Sequence, residues 1–144
     1  MIKLVKMLGI IGRCNVQFRT KKFKELEING CHNPYFFVLN RKGGMTQDEL
    51  AKELHLNKSN VTRNIQSLSE KGYVIVKNDE NDKRINRVYL SPLGEEKFPY
   101  IKKIVSENRE KLLVGFTEEE TIELERLLNK LVVNAERMCE NEDV

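Results

Sequence analysis

The side chains whose types and spacing carry chemistry lie between Asn57 and Gly94. Ser59, Asn60, Thr62, Arg63 and Gln66 fall beside, not on, the apolar series Val61, Ile65 and Leu68. On a helix, that series faces a core and the polar set faces away. The polar set is rich in hydrogen-bonding groups but sparingly charged, which suits reading base edges more than solubility. Asn and Gln can bond adenine, Arg can bond guanine, and Ser or Thr can serve either. Lys58, at the start of the same helix, adds a contact to base or phosphate on geometric grounds. The bland alternative is an ordinary solvated helix face.

A second group follows in the loop Asp79 to Gly94, DENDKRINRVYLSPLG. Asp82 and Arg84 stand two residues apart. A carboxylate so placed can fix a guanidinium by a charge-assisted hydrogen bond. An Arg held ready at a hairpin tip suits the minor groove, whose negative potential attracts it. Asp79, Glu80 and Asp82 subtract from the attraction, so the tip is not a plain polybasic clamp. A polar-faced helix followed at once by a hairpin with a basic tip is how a winged helix-turn-helix grips duplex DNA.

No comparable constellation for catalysis occurs. The chain has no nucleophile–base pairing, phosphate loop or metal set by sequence, so it reads as a non-enzyme without a cofactor. The three cysteines, Cys14, Cys31 and Cys139, are irregularly spaced, and Cys31-His32 is the one adjacent Cys–His pair. That pair is weak evidence for a metal; reduced, partly buried thiols of a cytoplasmic protein are the expectation. No run of about 18 apolar residues suggests a membrane span. The N-terminus is too charged for a secretory signal.

The net charge is +3 over 144 residues, but it is unevenly spread. Residues 1–24 carry seven basic groups and no acid, while residues 115–144 carry nine acids and three bases. This could be two solvated faces, or basic and acidic end helices lying side by side across a dimer.

The elements that position these side chains can be read in order. Residues 1–24 form a long first helix with Leu4, Leu8, Ile11 and Phe18 along one face and Val5 beside them, weakened by Gly9 and Gly12. A short second helix runs from Asn33 or Pro34 to about Lys42. Asn33 is its expected cap and Pro34 its first residue. Thr46 and Glu49 form a capping box for the third helix. His55 and Leu56 make the turn, Asn57 caps the fourth helix, and Gly72 supplies its left-handed stop. Strands are expected at Tyr73–Lys77 and Ile85–Leu90, with Val74, Val76, Val88 and Leu90 sharing one buried face. Ser91 caps a fifth helix begun by Pro92 and bent near Pro99, with Ile101, Val105 and Leu112 as its stripe. Thr117 and Glu120 open a last helix to about Met138, with Leu124, Leu127, Leu128, Leu131, Ala135 and Met138 along one face. The fold class is therefore mostly α with a small β-hairpin wing (α+β). Residues 1–144 read as a single domain, in which a winged helix core of about 33–91 stands between end helices of about 1–24 and 92–139. Long amphipathic end helices need covering, and a two-fold homodimer is the expected cover.

The segment MTQDELAKELHLNKSNVTRNIQSLSEKGYV, followed by Asp82, Arg84, Leu90, Ser91 and Gly94 in the pattern D-x-R-x5-L-S-x-x-G, resembles the MarR family of transcriptional regulators. The resemblance covers nearly the whole chain and is strongest from Met45 to Glu96. It implies a triangular homodimer with interlaced end helices, in which two winged domains bind a roughly palindromic operator. Ser59, Asn60, Thr62 and Arg63 then occupy major-groove positions of the recognition helix. Arg84 occupies the wing-tip position of the minor groove, with Asp82 as its support. It implies repression, often relieved by a small aromatic or phenolic acid; Tyr35 and Phe36 are candidate lining residues, or core. A branch of the family senses peroxide through a cysteine of the first helix, which makes Cys14 a candidate redox residue. Cys14 lies about one turn from that branch's position, and no tyrosine precedes Tyr35.

The reading is thus a sequence-specific, DNA-binding transcriptional regulator acting as a homodimer on double-stranded DNA. Two rivals share the fold: a cysteine-switched regulator, and a winged helix that binds protein.

Overall fold

In the computed structural model, the structure describes residues 2–140; Met1, the expected first residue of the N-terminal helix, lies outside them. The described residues are mostly helical with one two-stranded antiparallel hairpin. Residues up to Asn108 make one compact unit, and those from Arg109 a second.

In the first unit, helix α1 spans Ile2–Lys22 and is followed by a 3-10 turn, Lys24–Leu26, that closes on Glu27 in a left-handed conformation. Leu4, Leu8 and Ile11, expected along one face with Phe18, are not covered within the chain. All three are exposed, as is Val5, and only Phe18 and Phe23 near the end of α1 join the core. The two glycines do not interrupt the helix. The loop after α1 returns onto it. Thr20 Oγ1 donates to the Val16 carbonyl at 2.7 Å and accepts the Gly30 N–H at 2.8 Å. Gly30 lies so close to α1 that a Cβ there would sit 2.4 Å from the Val16 carbonyl oxygen.

Helix α2 spans Asn33–Arg41, but its cap is His32, which makes no side-chain capping bond. Asn33 is therefore the first helical residue, one of the two expected starts, and Pro34 the second, so the cap stands one residue earlier than expected. The reason is that the Asn33 side chain is engaged elsewhere, accepting from Arg19 Nε at 3.1 Å. Helix α3, Gln47–Leu54, carries the expected capping box: Thr46 Oγ1 accepts the Glu49 N–H at 3.1 Å, and Glu49 Oε2 accepts the Thr46 N–H at 3.4 Å. His55, at φ 54°, supplies the tight turn into α4, Lys58–Glu70. Asn57 caps α4 through its side chain, and Gly72, at φ 82°, turns the chain out of it.

Strands β1, Val74–Asn78, and β2, Asn86–Leu90, pair antiparallel with Val74 opposite Leu90 and Asn78 opposite Asn86. Val74, Val88 and Leu90 are buried, but Val76 is exposed, against expectation. Met45 pairs with Val88 on the far side of β2, so β2 is flanked on both edges and Val88 is covered, whereas β1 is the outer strand and Val76 stays open. Ser91 then caps α5, Pro92–Leu112, accepting the Gly94 N–H at 3.0 Å and donating to the Gly72 carbonyl at 2.5 Å. Helix α5 continues through Pro99, and its buried stripe is Ile101, Ile104 and Asn108 rather than Ile101, Val105 and Leu112. Leu112 is exposed.

The core of this unit is assembled from Phe23, Tyr35, Phe36, Leu50, Val61, Ile65, Leu68, Val88 and Ile101, with an edge-to-face contact between Phe36 and Tyr73. Asn108 closes a polar knot above it. Arg19 Nη1 donates to Asn108 Oδ1 at 2.7 Å, its Nη2 donates to the Gly30 carbonyl at 3.2 Å, and Asn108 Nδ2 donates to Asn15 Oδ1 at 3.0 Å. One guanidinium thus ties α1 to the following loop, α2 and α5.

In the second unit, Gly115 at φ 86° precedes α6, Glu118–Glu140, which opens with the expected Thr117–Glu120 capping box. No described residue of α6 is buried. Leu127, Leu128, Val132 and Met138 are all exposed.

Candidate nucleic-acid interface

The core stripe of α4 decides which side chains face outward. Val61, Ile65 and Leu68 are buried at spacings of four and three. Lys58, Ser59, Thr62, Arg63 and Gln66 are exposed, and Asn60 is half-buried. All six lie off the stripe, as the spacing predicts.

Most of these side chains are already held. The capping of Asn60 N–H by Asn57 Oδ1 at 2.8 Å fixes the first turn. Arg63 Nη2 donates to Asn60 Oδ1, so Asn60 keeps its amide N–H groups for another partner. Thr62 Oγ1 donates to Gln47 Oε1 at 2.8 Å, which ties α4 to the start of α3. Gln66 Nε2 donates to Glu70 Oε1 at 3.3 Å. Lys58 Nζ stands 3.1 Å from Asp48 Oδ1.

The hairpin tip is a second prepared element. Asp82 accepts three bonds from Arg84: the backbone N–H at 3.0 Å, Nε at 3.1 Å and Nη2 at 3.0 Å. The guanidinium is therefore oriented while its side chain stays 90% exposed. These bonds hold the Asp82 carboxyl below the usual carboxylate range. The charge-assisted pair expected from sequence is present.

Its counterpart where the loop leaves β1 was missed by sequence reasoning. Asp79 Oδ2 accepts from Arg87 Nε at 2.6 Å, and Arg87 Nη1 donates to the Gly44 carbonyl at 2.9 Å. Asp79 Oδ1 also accepts the Asn81 N–H at 2.8 Å. The Arg87 bond, aided by that N–H, lowers the Asp79 carboxyl. The signal was cross-strand geometry. Arg87 pairs with Lys77, so Asp79 sits on its diagonal, within reach of a long side chain. Strands ending at Lys77 and starting at Ile85 hide that relation. Asp79 and Asp82 therefore act less as repulsive charges than as braces.

Between the start of α3, Lys58 and the hairpin lies a hollow of about 530 Å³, lined by Thr46, Asp48, Glu49, Arg84, Asn86 and Arg87 among others. A second hollow of about 410 Å³ lies between α2, α3 and α5, lined by Phe37, Arg41, Glu53, Phe98 and Lys102 among others. Tyr35 and Phe36, the sequence candidates for an effector pocket, line neither. Both are fully buried in the core, where Tyr35 Oη accepts from Asn64 Nδ2 at 3.0 Å. Cys14, Cys31 and Cys139 are free and exposed rather than partly buried as expected, and Cys14 lies midway along α1. His32 is buried and uses Nδ1 to accept the Asn29 N–H at 3.1 Å. Among the described residues no cluster of His, Cys, Asp and Glu could hold a metal ion, and no helix is long and apolar enough to cross a membrane.

Comparison with known proteins agrees with this architecture. The model of the MarR family matches residues 34–85, from the start of α2 to the hairpin tip. The chain is 31% identical over 98 residues to the HTH-type transcriptional regulator BilQ of Clostridium symbiosum, covering 67% of this chain and 68% of that protein. A MarR transcriptional regulator from Methanosarcina mazei superposes with a TM-score of 0.88 at 29% identity, over 96% of this chain and 99% of the other. A MarR-family regulator from Listeria monocytogenes, solved in complex with 26mer DNA, has the same fold. It matches with a TM-score of 0.85 at 24% identity, over 94% of this chain and 90% of that one. With the capped α3–α4 pair and the hairpin on which these matches converge, the chain belongs to the MarR family of transcriptional regulators.

Proposed function

We propose that this regulator is a repressor that binds a roughly palindromic operator as a homodimer in the cytoplasm. The observation that carries the reading is the pairing of an outward polar face on α4 with an oriented, solvent-facing Arg84. In this reading Ser59, Asn60, Thr62, Arg63 and Gln66 read base edges in the major groove, and Lys58 takes a phosphate. Arg84 enters the minor groove with Asp82 behind it. Residues of about 33–91 supply the DNA-reading core, while the helices of about 1–24 and 92–139 supply the dimer. The DNA complex of the Listeria protein lends support to a duplex as partner. Release by a small aromatic acid is the second part of the reading. What favours it is the hollow beside α2, where the Phe37 and Phe98 rings stand edge to face at 5.2 Å with Lys102 over the Phe98 ring.

The test is binding to the protein's own upstream DNA against a scrambled duplex over a salt series. Selective binding with a steep salt slope is expected. Arg84→Ala should weaken it about tenfold without unfolding the protein. Unchanged affinity in the folded variant removes Arg84 from the interface. Equal weak binding to both duplexes would favour a protein-binding winged helix. In the same assay hydroxybenzoic acids should release the DNA; no release, and no gain in melting temperature, removes the aromatic effector.

A further inference from the structure

The three cations around the hollow between α3, α4 and the hairpin are each paired with a carboxylate, but the pairs differ in kind. Arg87–Asp79 is closed in, with side chains 32% and 16% exposed, and a carbonyl completes the guanidinium's bonding. Arg84–Asp82 is open but bidentate, and the acid also takes a backbone N–H. Both acids face inward and serve the hairpin. Lys58–Asp48 is different: one contact of 3.1 Å between side chains 67% and 74% exposed. Asp48 sits in the first turn of α3, on the wall of the same hollow as Lys58 and Arg84. It is thus an acid on the surface that the proposed function turns toward a polyanion.

We propose that Asp48 tempers DNA affinity: it holds Lys58 in the free protein and competes with the phosphodiester for that ammonium. Binding exchanges one carboxylate for another anion at Lys58 and leaves Asp48 facing the DNA backbone. Lys is suited to this, being a flexible point charge, where the Arg pairs are fixed forks. An exposed pair of this kind is weak enough to be exchanged. The inference rests on the DNA-binding reading and adds to it a residue that acts against binding.

The experiment compares wild type, Asp48→Asn, Lys58→Met and the double variant on a mixed-sequence duplex and on the upstream duplex, over a salt series. Thermal melts check folding. Asp48→Asn should bind both duplexes about two- to fivefold more tightly at low salt. Its salt slope should steepen by roughly one unit, because Lys58 then meets phosphate without a competitor. In the Lys58→Met background the gain should shrink clearly, leaving only the repulsion between Asp48 and the DNA backbone. Equal or weaker binding by folded Asp48→Asn overturns the proposal, and so does a gain of undiminished size without Lys58, which would be a plain field effect. A wild type with no salt-dependent affinity for either duplex would instead overturn the DNA-binding reading itself.

Discussion

His32 shows how a side chain with several available roles is committed by its surroundings. Its sequence neighbour Cys31 invites thoughts of a metal, yet the ring is buried and its Nδ1 accepts a backbone N–H. Burial lowers its pKa, the Lys71 charge adds to this, and a side-chain bond with Asn64 opposes both. The folded chain therefore keeps the neutral ring, which alone can accept that N–H. The sign of the pH effect follows. Above the ordinary value of 6.5 both folded and unfolded rings are neutral, and the contribution is fully present. As pH falls through that value, the unfolded chain takes up a proton that the folded chain refuses, so stability declines. Urea midpoints at about pH 7.5 and about pH 5.5 should show this fall in wild type and a smaller one in His32→Asn. Equal falls would mean that other groups set the slope. The wing acids behave differently. Their lowered values keep Asp79 and Asp82 charged until well into acid, so the braces persist across neutral pH.

At the scale of elements, the entry to α5 is a contact set by the absence of a side chain. A Cβ on Gly94 would lie 2.2 Å from the Tyr73 carbonyl oxygen and 3.2 Å from Leu90 Cδ2. The first turn of α5 is thereby pressed against the backbone just before β1, with Ser91 bonded to Gly72 across the same junction. Gly94→Ala must push strand and helix apart, at a cost of roughly 1–3 kcal/mol by the usual penalty for overpacking. The expected readout is a lower urea midpoint together with weaker DNA binding, since the hairpin is rooted there. An unaltered midpoint would show that the junction yields freely. Much at this scale was legible beforehand. Both capping boxes, the Asn57 cap and the left-handed Gly72 are local, and a few adjacent residues suffice to specify them. What escaped was non-local. Asn33 looked like a cap because Arg19, fourteen residues away, cannot be seen in its neighbourhood. Val76 looked buried because alternation says which side of a strand a residue faces, but not that this strand is the outer one of its pair. The outward-facing residues of α4 were legible because the α4 stripe specifies its own opposite face. The Asp79 brace and the Asp48–Lys58 pair were not, since each depends on how separate elements come together.

For the whole molecule, the question is what covers the apolar side chains of the end helices. Leu127, Leu128 and Val132 of α6 are exposed, as are Leu4, Leu8 and Ile11 of α1. Exposed apolar surface on this scale marks an association site. Light scattering should give two chains per particle, and Leu128→Glu with Val132→Glu should lower the mass to one chain and DNA affinity by more than about tenfold, through loss of the second half-site. A monomeric wild type that still binds DNA tightly would reject the dimer.

The pairing of Lys58, Arg84 and Arg87 with acids has a consequence for how such a protein finds its target. Seen from beyond a Debye length of about 8 Å, each cation is largely cancelled by its neighbour. At contact only the Lys58 charge becomes newly available, where a phosphate can displace Asp48, while the two Arg pairs stay closed. Arbitrary chromosomal sequence, which competes in vast excess for any strongly basic surface, then captures fewer copies. On the proposed function, fewer copies would be enough to keep one specific DNA site occupied.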